Sequence, residues 1–217
     1  MQKFTLTTVL LAMLAFCAAG SALAEDLNPP AWDRGAEGTT YARWEFLEWY
    51  TDPVPDEWSN PCFAPSMIIG TPSGWYADWG GRAGVWEAES IEVVIPNYVI
   101  DNPYKDIWIQ VTWAGVEPCA APPLWAVASG QQSIAEVVCE TVLGPSGMDM
   151  PYDCWYHTTY KIHLEPNPAC ETLYFQGFKY FDEIVIDTIC YVPEPGSLVA
   201  FASGLIGLAG LAIRRRR

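Results

Sequence analysis

The sequence predicts an all-β fold, an antiparallel β-sandwich, and three observations carry the prediction. About seven or eight short stretches alternate apolar and polar residues. Proline and glycine, 18 and 17 of the 217 residues, punctuate them. No stretch between Glu25 and Val192 carries the 3.6-residue apolar period of an amphipathic helix. Such a pattern fits a jelly roll or an immunoglobulin-type sandwich, which periodicity alone does not separate.

After an irregular lead-in at 26–38, the first strand is expected over Thr39 to Trp49. Ala42, Trp44, Phe46 and Glu48 fall on one side, with Tyr41, Arg43, Glu45 and Leu47 on the other. The proline-rich stretch from Asp52 to Gly74 reads as a long loop pinned by Cys62. Trp75-Tyr76-Ala77-Asp78-Trp79-Gly80-Gly81-Arg82 reads as a turn, with Trp75, Tyr76 and Trp79 as a candidate ligand platform or as rings closing one end of the core. Val85 to Ile95 is the next strand. Lys105 to Trp113 is a half-buried one, with Ile107, Ile109, Val111 and Trp113 opposite Asp106, Trp108, Gln110 and Thr112. Pro118 to Pro123 breaks the chain. Further strands are expected over Ser133 to Leu143, Trp155 to Leu164, Thr172 to Gln176 and Tyr180 to Tyr191. Glu171 to Gly177 matches the recognition sequence of a plant-virus protease used to remove purification tags, but its place inside a strand pattern makes this a chance likeness.

The two ends read differently from the middle. Residues 1–24 have the form of a secretory signal peptide: Lys3, an apolar core from Val9 to Ala19, and Ala22-Leu23-Ala24 as the cleavage site before Glu25. Cys17 follows the bulky Phe16, which disfavours a lipoprotein signal. At the other end, Pro193-Glu194-Pro195 precedes an uncharged run from Ser197 to Ile213, and Arg214, Arg215, Arg216 and Arg217 close the chain. Seventeen apolar positions are just enough for a membrane-spanning helix, and the arginines favour the cytoplasmic side. A domain at 25–192 is thereby placed outside the membrane.

This C-terminal arrangement resembles the PEP-CTERM sorting signal of envelope and exported proteins in Gram-negative bacteria that make extracellular polysaccharide. The resemblance implies an exosortase-type membrane protease as partner. It also implies an inner-membrane intermediate and delivery to the cell envelope or the exterior. Trp32-x-x-Gly35-x-x-Gly38-Thr39-Thr40-Tyr41, Ile95-Pro96-Asn97, Trp155-Tyr156-His157-x-Thr159-Tyr160 and Glu165-Pro166-Asn167-Pro168 further resemble uncharacterised planctomycete-type exported proteins. Tyr180-Phe181-Asp182-Glu183-Ile184-Val185-Ile186 resembles the closing strand of jelly-roll carbohydrate-binding modules, which tips the expectation to a jelly-roll-like sandwich.

Between Glu25 and Val192, six Lys and Arg face 25 Asp and Glu. So acidic a domain disfavours nucleic acid as a partner. All eleven Trp lie in the same portion. Rings left at the surface would suit stacking on sugars, so extracellular polysaccharide is the expected ligand. Cys62, Cys119, Cys139, Cys154, Cys170 and Cys190 are an even set in an exported domain, and disulfides stapling the loops are expected. No Cys-x-x-Cys pair points to zinc.

Glu87, Glu89 and Glu92 follow the E-x-D-x-x-E spacing of laminarinase-type retaining glycosidases, except that the central Asp is Glu. Their chemistry needs two carboxyls about 5 to 5.5 Å apart. Without a bulge, Glu92 would point away from Glu87 and Glu89. His157 and His163 would lie about 20 Å apart on one face, too far to share a metal, and His157 is expected to be partly exposed. A structural calcium is conceivable at Asp101 and Asn102 or at Asp182, without a supporting loop motif. The chain is therefore read as non-enzymatic, with no catalytic residue and no cofactor assigned. A jelly-roll glycosidase using Glu87 and Glu92, or a purely structural surface protein, is the alternative.

Overall fold

A computed structural model of the protein describes residues 26–97, 102–115, 120–148 and 154–191. The leader with Ala22 and Ala24, the sorting signal from Pro193 to Arg217, Asp101 and Cys119 lie outside the described residues.

The described chain is all β, as its alternation predicts. Eleven strands run β1 (Thr39–Trp44), β2 (Glu57–Ser59), β3 (Ser66–Ile69), β4 (Ser73–Trp79), β5 (Arg82–Pro96), β6 (Lys105–Gly115), β7 (Leu124–Ala128), β8 (Gln131–Ile134), β9 (Glu136–Pro145), β10 (Cys154–Leu164) and β11 (Cys170–Cys190). Every pairing is antiparallel.

The 21-residue β11 organises the sheet. Its first half lies between β5 and β7, and its second half between β1 and β6. One layer therefore reads β2-β1-β11-β6-β10-β9. The other runs from β3 and β4 through β5, β11 and β7 to β8. Ile107, Ile109, Val111, Ile184 and Ile186 of the first layer share a core with Ile91, Val93, Leu173, Phe175 and Leu124 of the second. The result is sandwich-like, one hydrogen-bonded sheet doubled over at β11.

Several expectations change here. The stretches 172–176 and 180–191 form one strand, because a register shift between Gln176 and Lys179 absorbs an extra residue without ending the ladder. The expected loop at 52–74 contains β2 and β3, and the expected turn at 75–82 is mostly β4. β7 went unpredicted because prolines precede it, and the stretch 133–143 divides into β8 and β9 at Ala135.

The predicted disulfides are not formed among the described residues. No such bond engages Cys62, Cys139, Cys154, Cys170 or Cys190. Cys62 is thus no pin for its loop. That loop is held instead by the Trp44 indole N–H on the Pro53 carbonyl at 3.1 Å and by Ile69 N–H on the Thr51 carbonyl at 2.7 Å.

β6 is buried on both faces, not half-buried. Its polar face is covered by the lead-in. Asn28 N–H donates to Gln110 Oε1, the Trp108 indole donates to the Asn28 carbonyl, and Gln110 Nε2 donates to Asp26. Arg34 clamps Asp187 of β11 with two bonds of 2.6 Å. His157 is correspondingly buried, its ring nitrogens 3.0 Å from Thr112 Oγ1 and 3.2 Å from Gln110 Oε1.

Candidate functional site

The outward face of the second layer carries a row of side chains set by strand register. Trp125 of β7 is paired with Ile134 of β8 and with Tyr174 of β11. Tyr174 is paired with Glu92 of β5, and Glu92 with Ile68 of β3. Because facing residues on neighbouring strands point the same way, Ile134, Trp125, Tyr174, Glu92 and Ile68 line up across five strands, a width of about 19 Å. The two rings stack across strands with centroids 5.8 Å apart and planes 20° from parallel.

Burial agrees with this direction. Leu124 and Ala126 point into the core while Trp125 is half-exposed between them, and Leu173 and Phe175 do the same around Tyr174. Ile134 and Ile68 are exposed at either end, at 80% and 56%. Thr172, Val94 and Val127 flank the row on one side, one pleat away. The row is a shallow, rigid strip with two flat rings, a carboxylate acceptor and an aliphatic group at each end.

The acidic triplet lies on the same strand as Glu92. Inward positions of β5 are Trp86 and Ala88, then Ile91, Val93 and Ile95, so the alternation changes phase across Glu89 and Ser90. That irregularity, opposite the register shift in β11, brings Glu87 and Glu92 onto the outward side together. Glu87 is already engaged: the Tyr76 hydroxyl donates to its Oε2 at 2.6 Å and the Tyr180 hydroxyl to its Oε1 at 2.9 Å.

The aromatic cluster singled out at 75–79 is mostly packing. Trp79 is 8% exposed, stacked on Tyr180 at 3.9 Å and set edge-on to Trp155. Trp75 packs against the main core and donates its indole N–H to the Phe46 carbonyl at 2.9 Å. Tyr76 is exposed, but its strand neighbour Trp75 packs against the core on the other side. The three therefore present no common flat face to solvent.

Other candidates have equally definite positions. Asp182 accepts from Arg82 Nη1 at 2.6 Å, and Asn102 is buried. Among the described residues no group of three or more His, Cys, Asp or Glu is placed to hold a metal ion. His163 Nδ1 lies 2.6 Å from Asp106 Oδ1, on the outer side of the other layer. Loop 45–56 forms a second aromatic feature, a groove of about 270 Å³ lined by Leu47, Tyr50, Pro53 and Val54, with Trp49 and Tyr50 exposed and stacked at 5.2 Å.

Sequence reasoning missed Trp125 and Tyr174. Leu124-Trp125-Ala126-Val127-Ala128 is a short apolar run without polar alternation, and only its β11 partner reveals which side faces out.

Residues 192–217 match the PEP-CTERM protein-sorting motif. No curated protein matches the chain. The motif supports an exported protein sorted by an exosortase-type system through a membrane-anchored intermediate.

Proposed function

We propose that this exported protein works at the cell envelope or outside it as a non-catalytic carbohydrate-binding domain, taking polysaccharide on the outward face of β3, β5, β11, β7 and β8. The observation that carries the reading is the pair of near-parallel rings, Trp125 and Tyr174, fixed on neighbouring strands in one transverse row. Sugars present C–H faces that stack on such rings and hydroxyls that donate to a carboxylate such as Glu92. Strands hold the rings to a tighter geometry than a loop does, which favours this strip over the stacked Trp49 and Tyr50 of loop 45–56. The acidic domain repels anionic chains, so the ligand is a neutral polysaccharide and its binding depends little on salt.

Delivery follows from the tail. An exosortase-type protease would cut near Pro193-Glu194-Pro195 and free the domain from the apolar segment Ser197 to Ile213, leaving Arg214 to Arg217 behind. Intact mass of the mature protein from cells with and without the protease tests this step, and an intact Arg217 in both would refute it. A glycan array tests binding. Retention of neutral glycans is expected. A blank array refutes the reading, and turnover of a bound β-glucan would replace it with the glycosidase alternative.

A further inference from the structure

One end of the sandwich holds a polar cluster that the carbohydrate reading does not use. Lys105 opens β6, Glu171 lies near the start of β11, Asn97 follows β5, and Cys190 ends β11 directly opposite Lys105. Lys105 and Glu171 are fully buried and Asn97 is 6% exposed. Lys105 Nζ lies 2.5 Å from Glu171 Oε1 and 3.3 Å from Asn97 Oδ1. The Cys190 thiol donates to the same Oδ1 at 2.9 Å. Asn97 Nδ2 donates to Asn167 Oδ1 at 2.5 Å and to the Pro168 carbonyl.

Three features make this more than an ion pair. An amine nucleophile and a carboxamide are held against each other in a site closed to water, where proximity replaces a bimolecular encounter. The amide oxygen accepts from the Cys190 thiol, which polarises its carbonyl towards attack by the Lys105 amine beside it. Glu171 Oε2 is buried without a hydrogen-bond partner among the described residues, a cost that a further donor would remove.

We propose that Lys105 and Asn97 join in an intramolecular isopeptide bond, with Glu171 as the catalytic residue that moves the protons. The Lys105 ammonium first passes a proton to the Glu171 carboxylate. The neutral Nζ then attacks Cγ of Asn97, forming the new C–N bond while Oδ1 takes the negative charge. Glu171 passes its proton to Nδ2 and takes the second proton from Nζ. Collapse of this intermediate then breaks the Cγ–Nδ2 bond, and Nδ2 leaves as ammonia. Atoms and charge balance without an oxidant: an ammonium, a carboxylate and a primary amide become a secondary amide, ammonia and a carboxylic acid.

The end state agrees with the surroundings of Glu171. Burial raises its carboxyl above the ordinary value, with Lys105 opposing, so the acid form suits the site. As an acid it donates to the new amide carbonyl while its other oxygen accepts the amide N–H. The bond would tie β5 of one layer to β6 of the other, a covalent staple that reducing agents do not open.

Intact mass of the mature protein under denaturing, reducing conditions tests the proposal. One ammonia less than the mass implied by its termini is expected, together with a branched peptide joining Asn97 to Lys105 after digestion. Glu171→Gln and Lys105→Met should each restore the full mass. Full sequence mass in the wild type overturns the proposal. So does an ammonia loss without a branched peptide, which would mark a succinimide at an asparagine. If neither variant folds, the wild-type peptide map alone decides.

Discussion

Replacing Arg34 by alanine tests how the lead-in is held to the sheet. Nε and Nη2 of Arg34 each lie 2.6 Å from an oxygen of Asp187, whose side chain is fully buried. Nη1 lies 2.5 Å from Asp26 Oδ2, and the guanidinium sits 4.1 Å from the Tyr41 ring centroid. Truncation therefore removes a bidentate pair and leaves a carboxylate in the interior. Breaking one partner of a buried pair costs about 3–5 kcal/mol. In a domain of this size each kcal/mol shifts Tm by about 2–4 °C, so a fall of roughly 6–20 °C is expected.

The deficit should also depend on pH with a definite sign. Burial already raises the Asp187 carboxyl above its ordinary 3.8, with Arg34 opposing. Without Arg34 it rises further. A folded-state pKa above the unfolded value means that the folded form takes up the proton first, so the variant regains stability relative to wild type as pH falls through its raised value towards that of the wild type. Thermal melts of wild type, Arg34→Ala and Arg34→Ala/Asp187→Asn at neutral and mildly acidic pH give the answer. The double variant should recover a large part of the loss. A fall below about 2 °C, under the shift of a single kcal/mol, would refute the clamp, as would a double variant whose losses simply add.

Two further outcomes follow from the same structure. Gly84 has φ +74°, and an added Cβ would stand 2.4 Å from the Phe46 carbonyl oxygen. Gly84→Ala should thus cost more than the about 1–2 kcal/mol of left-handed strain alone, read by urea denaturation. The Asp106 carboxyl is buried, which raises its pKa, but hydrogen bonds from His163 and Lys161 outweigh this and hold it below 3.8. Its contribution is present above the unfolded value and lost as pH falls through the lower folded one, so Asp106→Asn should flatten the acid limb of the stability profile below pH 3.8.

How much could be read beforehand depended on whether the information was local. Strand alternation is local, and β1, β5, β6 and β10 lie close to where it places them, with Ala42, Trp44 and Phe46 sharing one side, which the structure buries. Burial of the polar face of β6 was not legible, because Asp26 and Asn28 reach it from about 80 residues away in sequence. The platform went to Trp75, Tyr76 and Trp79 for a similar reason. Their density marks an aromatic cluster, but only the hairpin of β4 with β5, and the stack of Trp79 on Tyr180, show that it covers the core. Cysteine parity pointed to disulfides, yet pairing requires Cα atoms within about 7 Å, a condition that sequence spacing does not report. The acidic triplet needed a bulge to face one way, and the change of phase at Glu89 and Ser90 supplies it.

The central claim is most directly met by retention on an insoluble neutral polysaccharide selected from the array, comparing wild type with Trp125→Ala, Tyr174→Ala and Trp49→Ala. Loss of a stacking ring on the strip should weaken binding about tenfold, equivalent to about 1.4 kcal/mol, while Trp49→Ala leaves it unchanged. Equal retention of wild type and the two strip variants, or loss in Trp49→Ala alone, would contradict the account and move the ligand to the groove at 45–56.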